Sequence, residues 1–393
     1  MRVVGVIAEY NPFHAGHAYH LAEARRLAKA DAVVVVMSSV FTQRGDAAVA
    51  SPLDRARMAL SAGADAVFAL PAVWAVRDAE HFALGAVSIL AGLGCDAISF
   101  GTESIHIPDL QAAAHLIEHP DPAFQEKVQA CMAEGLPYPA ALSAALETVL
   151  PGCGNLLSNP NSTLAVCYLR ALLKLGADME VVPVQRIGGY HASALGAAFP
   201  SATALRGALL RGDWPRVKTA MPPDAYAILR TAAEQGHIHR PEMLDTALLY
   251  RLRSMSGDDY SALPDISEGI EHRLRAAADT TCTREDLLQA AKTRRYPYAR
   301  LSRLATHALL NLTDGLLKAD ELPQAAWLLG FRKEAKELFT HFKKNGTLPI
   351  WGKAADLDRS TAWVQAEIRA YNLWALGIGS PSGLAVTQGV AVE

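Results

Sequence analysis

Cysteine is scarce: Cys95, Cys131, Cys153, Cys167 and Cys282 are the only five in 393 residues. No two fall at metal-ligand spacing, and an odd number cannot all pair internally. The spacing predicts reduced, buried thiols, which excludes a cysteine-built metal site or a cross-linked secreted scaffold. Long hydrophobic runs are also missing. No uncharged apolar stretch reaches the ~20 residues of a membrane span. The valine-rich start is broken by Glu9 and is too short for a secretory core. A soluble, cytoplasmic protein with no membrane partner is expected. Neither sign of charge dominates, with 37 Lys and Arg against 40 Asp and Glu and a formal charge of −3. Attraction to nucleic acid must therefore come from a local patch. Aromatics make up only 7%, whereas hydrophobic residues reach 51% and are dominated by Ala and Leu, so helix should predominate in a globular chain. The length suits two or three domains of ~150 residues.

Over residues 1–101 two kinds of segment alternate. Val3 to Ala8 and Ala66 to Leu70 are short apolar runs. Ala32 to Met37 is a β-branched run, the pattern of a strand covered on both faces. Between them lie helical spacings, one with Leu21, Ala24 and Ala28 on a single side. Another is opened by Ser51-Pro52 and closed by Gly63. A helix from about Ala79 to Leu90 leads to a last run, Cys95 to Phe100. This alternation predicts an α/β domain with a parallel sheet. We read residues 1–212 as that domain, interrupted by a helical insertion at about 105–150. A helix over 159–175, a strand over 179–184 and a helix over 202–211 complete it. Residues 213–376 read as helical throughout, and the Gly-, Ser- and Pro-containing end, 377–393, as a flexible tail.

The strongest local signal is Ile7-Ala8-Glu9-Tyr10-Asn11-Pro12-Phe13-His14-Ala15-Gly16-His17. It lies between the first strand and the first helix, where unpaired N–H groups and the helix dipole favour a phosphate. Gly16 removes a side chain where that phosphate must approach. His14 and His17, three apart at the helix start, can face one phosphate, where imidazolium donors would stabilise charge on the phosphorus and the departing pyrophosphate. The bland reading is a pair of surface histidines. A second signal is Ser201-Ala202-Thr203-Ala204-Leu205-Arg206. It is a Ser/Thr-rich helix start with an arginine one turn on, fit for further phosphate contacts or simply a cap with a solvated arginine. Asn161, Arg186 and Gly101 suit nucleotide oxygens or the adenine edge, and suit a cap, a surface charge and a turn as well.

Together these segments resemble the nucleotidylyltransferase superfamily and, more narrowly, the bacterial tRNA(Met) cytidine acetate ligase family. The narrower likeness rests on Glu9 to His17, Phe41-Thr42-Gln43-Arg44-Gly45, Gly63-Ala64-Asp65 through Leu70-Pro71, Phe100-Gly101-Thr102-Glu103, Pro160-Asn161 and Lys292 to Leu301. It covers nearly the whole chain in order. Position 15 is Ala where the family often has Asn, and Ser162 follows Asn161 where a second Asn is common. The resemblance implies a Rossmann-like, HUP-type α/β fold with a C-terminal all-helical, tRNA-binding domain. It implies a ligase that uses ATP, with Mg2+, to turn acetate into acetyl-adenylate. The acetyl group then passes to N4 of the wobble cytidine of elongator tRNA(Met). Its ATP site would be Ile7, Ala8, Glu9, Tyr10, Asn11, Pro12, Phe13, His14, Ala15, Gly16, His17, Ala18, Tyr19 and His20, with Gly101, Asn161, Arg186 and Ile187. His14 and His17 would be catalytic. An exocyclic amine is a weak nucleophile and acetate has no leaving group, so activation must come first.

From Lys292 to Lys344 eleven Lys and Arg stand against five Asp and Glu, a local net of +6. Lys292, Arg294, Arg295 and Arg300 interleave with Tyr296 and Tyr298, a pattern that suits phosphates and splayed bases. A solvated helix face with the tyrosines packed inward is the plainer reading. Two other functions share the motif: a small-molecule adenylyltransferase making a dinucleotide cofactor, and a non-catalytic RNA-binding protein that keeps the nucleotide fold.

Overall fold

The computed structural model describes residues 1–103, 106–185, 201–267 and 269–393. Its framework is one sheet. The strands are β1 (Val3–Ala8), β2 (Ala32–Ser38), β3 (Ala66–Leu70), β4 (Ala97–Thr102), β5 (Glu180–Gln185), β6 (Ala326–Phe331), β7 (Ile350–Trp351) and β8 (Ala391–Val392). They run in the order β5-β4-β1-β2-β3-β6-β7, with β8 also on β6. The first five pair in parallel. Each β-branched or small residue of β2 is buried, because helices cover both faces of the sheet. Strand order reverses at β1: β2 follows on one side, whereas the chain crosses back to lay β4 on the other. The crevice beyond the carboxyl ends of β1 and β4 is therefore the place where such a sheet receives a ligand.

Local chemistry sets the helices as their residues require. Ser51 caps Pro52–Ser61 by accepting the Asp54 N–H at 3.0 Å. Leu21, Ala24 and Ala28 form the buried side of Ala15–Ala28. Between β4 and β5 come Ile107–Glu118, Pro122–Ala133 and Tyr138–Val149, then Pro160–Leu175. Among the described residues no helix is long and apolar enough to cross a membrane. Cys282 is exposed whereas the other four thiols are buried, so the expectation of five buried thiols fails at that one.

Two expectations about the second half are corrected. Residues 213–376 are not helical throughout, since β6 adds to the sheet antiparallel to β3. Its sequence, Ala-Trp-Leu-Leu-Gly-Phe, is buried on both faces, so it has no alternation to betray a strand. A separately packed helical core exists but is narrower, drawn from residues between Leu248 and Ala308. Residues 310–391 return to the main core. Nor is 377–393 a loose tail. The chain end forms β8, which pairs Gly330–Phe331 while β7 pairs Ala326–Trp327, so the two divide one edge of β6. Ala385 and Ala391 are buried.

Candidate active site

Strand β1 delivers the HxGH segment to the crevice. His14 is the N-cap of the helix Ala15–Ala28, and its Nδ1 accepts the Gly16 N–H at 3.1 Å. The His14 N–H in turn donates to Nδ1 of His17 at 3.2 Å. The two rings stack with centroids 3.6 Å apart and planes 19° from parallel. These bonds decide the protonation form. A ring nitrogen that accepts a backbone N–H carries no proton, so each neutral imidazole holds its proton on Nε2. Doubly protonated rings would lose the caps and repel across the stack.

Below the histidines the loop is packed, not open. Tyr10 and Phe13 are fully buried, 4.8 Å apart in an edge contact, and the Tyr10 ring lies 4.8 Å from that of His17. Their part is to fix the loop. Tyr10 has φ 46°, the left-handed region that a bulky residue rarely enters, held here by the burial of its ring. Asn11 is buried and its Oδ1 accepts the Val49 N–H at 2.8 Å. His20, one turn into the helix, meets Ser99 of β4 at 3.2 Å.

The second motif arrives at the same loop. Ser201 caps Ala202–Leu210 by accepting the Ala204 N–H. Arg206 donates through Nη1 to the Asn11 carbonyl at 2.8 Å, and through Nη2 to Thr203 Oγ1 at 3.1 Å. On the other side Gly101 lies in β4, opposite Val184 of β5. Asn161, in the first turn of Pro160–Leu175, donates to Glu103 at 2.5 Å, and Ser162 gives the same carboxylate its N–H and its hydroxyl at 3.1 and 3.0 Å. Glu103 therefore ties the Asn161 helix to the end of β4. Arg186 and Ile187 lie outside the described residues.

One contributor, Arg55, was not singled out from sequence. Arg55 is fully buried and staples the carboxyl ends of two strands, donating to the carbonyls of Glu9 at 2.7 Å and Ser38 at 3.0 Å. Burial lowers its guanidinium to about 10. Glu9 accepts the Gln43 N–H on Oε1 at 2.6 Å. Burial pushes its carboxyl up, against the pull of the Gln43 N–H, Arg206 and Arg44. An arginine inside a helix reads as a surface charge, so no local pattern points to Arg55.

The basic segment is on the helical side. Lys292, Arg294 and Arg295 are exposed, whereas Arg300 is turned back to the Asp265 carbonyl and the Ser267 hydroxyl at 2.8 and 2.7 Å. Tyr296 is buried in the smaller core, and the Tyr298 hydroxyl donates to Glu285 at 2.6 Å. Tyr296 is thus packed inward, as the plainer reading has it, whereas Tyr298 is half-buried with its hydroxyl held by Glu285. Between this lobe and the HxGH loop lies a cavity of about 390 Å3, walled by Asn11 and Arg206 on one side and by Gly45, Arg284 and Tyr298 on the other. Among the described residues no group of three or more His, Cys, Asp or Glu is placed to hold a metal.

A family model described as HIGH Nucleotidyl Transferase matches residues 1–383. The tRNA(Met) cytidine acetate ligase of Fervidobacterium nodosum is 34% identical over 362 residues, covering 90% of this chain and 84% of its own length. The enzyme of the same description from Anoxybacillus flavithermus is 37% identical over 358 residues, 89% and 88% of the two chains. The crystal structure of Thermotoga maritima TmcAL bound with alpha-thio ATP superposes with a TM-score of 0.92 at 29% identity, across 100% of this chain and 99% of that one.

Proposed function

The chain belongs to the tRNA(Met) cytidine acetate ligase family of nucleotidyl transferases, and on that premise we propose that it acetylates N4 of the wobble cytidine of elongator tRNA(Met) at the expense of ATP. Acetate attacks the α-phosphate of ATP and pyrophosphate leaves. The cytidine amine then attacks the acetyl carbon and AMP leaves. A carboxylate approaching a triphosphate must overcome charge repulsion, so fixed donors are the chemistry this step needs.

His14 and His17 supply two such donors through Nε2–H at the helix N-terminus. Arg206 adds a fixed cation, with Ser201 and Thr203 beside it as further phosphate contacts. Gly101 and Asn161 border the side where the adenosine would lie, with Arg186 and Ile187 completing it. Magnesium would ride on the phosphates of the nucleotide, since the donors here are imidazoles and a guanidinium. Residues 1–212 would hold ATP and acetate, and residues 213–376 the tRNA, through Lys292, Arg294, Arg295 and Arg300. The setting is cytoplasmic, where tRNA and ATP meet.

The observation that supports this reading best is the 2.8 Å bond from Arg206 to the Asn11 carbonyl, which brings two motifs 195 residues apart to one phosphate-binding loop. A small-molecule adenylyltransferase would need the same loop but not the basic segment of the helical lobe. The test is AMP release from ATP with acetate, with and without elongator tRNA(Met). Release should require both, and His17→Ala should lower it by about 10²–10³-fold, the usual cost of a lost transition-state donor. Release indifferent to acetate and to that tRNA would sink the proposal.

A further inference from the structure

We propose that Glu9 is the general base of the second step: it takes the proton that the cytidine N4 amine sheds as the acetyl group arrives. The assignment rests on the ligase reading above and adds a residue to it. When the N4 lone pair attacks the carbonyl carbon of acetyl-adenylate, the C–N bond forms and the nitrogen becomes cationic. The carbon–oxygen bond to phosphate then breaks, and AMP departs with that electron pair. One N4 proton must leave for the amide to be neutral, and a positioned base removes it.

The histidines cannot do this. Nδ1 of His14 accepts the Gly16 N–H and Nδ1 of His17 accepts the His14 N–H, so in both rings the remaining nitrogen bears the proton. They can donate to phosphate but have no lone pair to offer. Glu103 is committed as well, with one oxygen to Asn161 and the other to Ser162. Asp46 is tied to Arg284 at 3.0 Å on the helical side. Glu9 directly follows β1, on the same edge as His14 and His17, and only its Oε1 is engaged, by the Gln43 N–H at 2.6 Å. That bond fixes the carboxyl plane. Oε2 takes no hydrogen bond among the described residues. It is the atom we assign to the proton, which solvent removes after AMP has gone.

The surroundings suit the task. Among the described residues, Arg206, Arg44, Arg55, Asp46 and Tyr168 are the charged or titratable groups that face Glu9. Burial outweighs the cations and raises the carboxyl above its ordinary value, toward the range where a base is most effective near neutral pH. Because the base acts ionised, transfer should fall as pH drops through that raised value.

The test separates the two half-reactions in wild type, Glu9→Gln and Glu9→Asp. Acetate-dependent exchange of pyrophosphate into ATP reads the first. Single-turnover transfer from enzyme-bound acetyl-adenylate to elongator tRNA(Met), followed from pH 5 to 9, reads the second. Glutamine can still accept the Gln43 N–H, so the loop is preserved. Transfer in Glu9→Gln should fall by about 10²-fold or more, with exchange falling at least tenfold less, and the acid limb of transfer should vanish. Glu9→Asp should restore part of the transfer together with its acid limb. Equal losses in both half-reactions, or an acid limb that survives in Glu9→Gln, would overturn the assignment. If the wild type shows no acetate-dependent exchange, the ligase reading itself fails and this role goes with it.

Discussion

Buried ionisable side chains away from the chemistry leave a mark on stability. Glu367, on the helix Ala362–Gly377, is fully buried and accepts the Ala72 N–H at 2.6 Å. Burial raises its carboxyl to about 7. A carboxyl raised on folding binds its proton more tightly in the folded state. The stability this confers is complete below the unfolded value near 4.5 and is lost as pH rises through about 7. The loss reaches up to about 3 kcal/mol well above pH 7, taking 1.36 kcal/mol per pH unit. Glu367→Gln, which keeps an acceptor for Ala72 but cannot ionise, should match wild type near pH 5 and be more stable at pH 8.5. Thermal unfolding across that range decides it, and a wild type whose melting temperature tracks that of the variant at every pH refutes it.

At the scale of elements, the loop after β2 joins the sheet to the helical lobe. The Gly45 carbonyl accepts from Arg284 at 3.0 Å and from the Thr306 hydroxyl at 2.6 Å, and Ser302 donates to the Arg44 carbonyl at 2.5 Å. Gly45 has φ +81°, and a Cβ there would lie 2.8 Å from the Ser302 carbonyl oxygen. Gly45→Ala should therefore cost at least about 2 kcal/mol, combining left-handed strain with a backbone clash that no rotamer relieves. Urea unfolding with an unchanged m-value would measure it; a change under about 0.5 kcal/mol would show that the loop moves freely from the lobe. Such links explain what the sequence could and could not reveal. Strands β1 to β5 were legible because each is a short apolar run between helical spacings. So was the Ser51 cap, which acts on its own neighbours. Strand β6 was not, since Ala326 to Phe331 holds no β-branched residue, and a Leu-rich run buried on both faces looks like a segment of buried helix. The contacts of Gly45 span over 230 residues, and local pattern carries nothing about them. Among site residues, His14, His17 and Arg206 stood out by spacing, whereas Arg55 and Glu103 act through bonds to distant backbone and helix ends.

The molecule as a whole is slightly acidic, with a formal charge of −3, yet its proposed partner is a polyanion. Overall charge therefore opposes association, and on the proposed reading binding depends on the exposed Lys292, Arg294 and Arg295 of the helical lobe. Each phosphate neutralised releases condensed counterions, at roughly 0.7–0.9 of a unit in the slope of log K against log salt. Replacing all three by alanine should lower that slope by about 2 to 3 and weaken tRNA binding across sequences, since phosphate contacts carry no base information. Acetate-dependent pyrophosphate exchange needs no tRNA and should stay within about twofold of wild type, because these side chains lie outside the HxGH loop. Filter binding at several salt concentrations, paired with the exchange assay, tests both halves. An unchanged salt slope would move the RNA path to another face. A matching loss of exchange would mean that the lobe shapes the nucleotide site as well as the tRNA site.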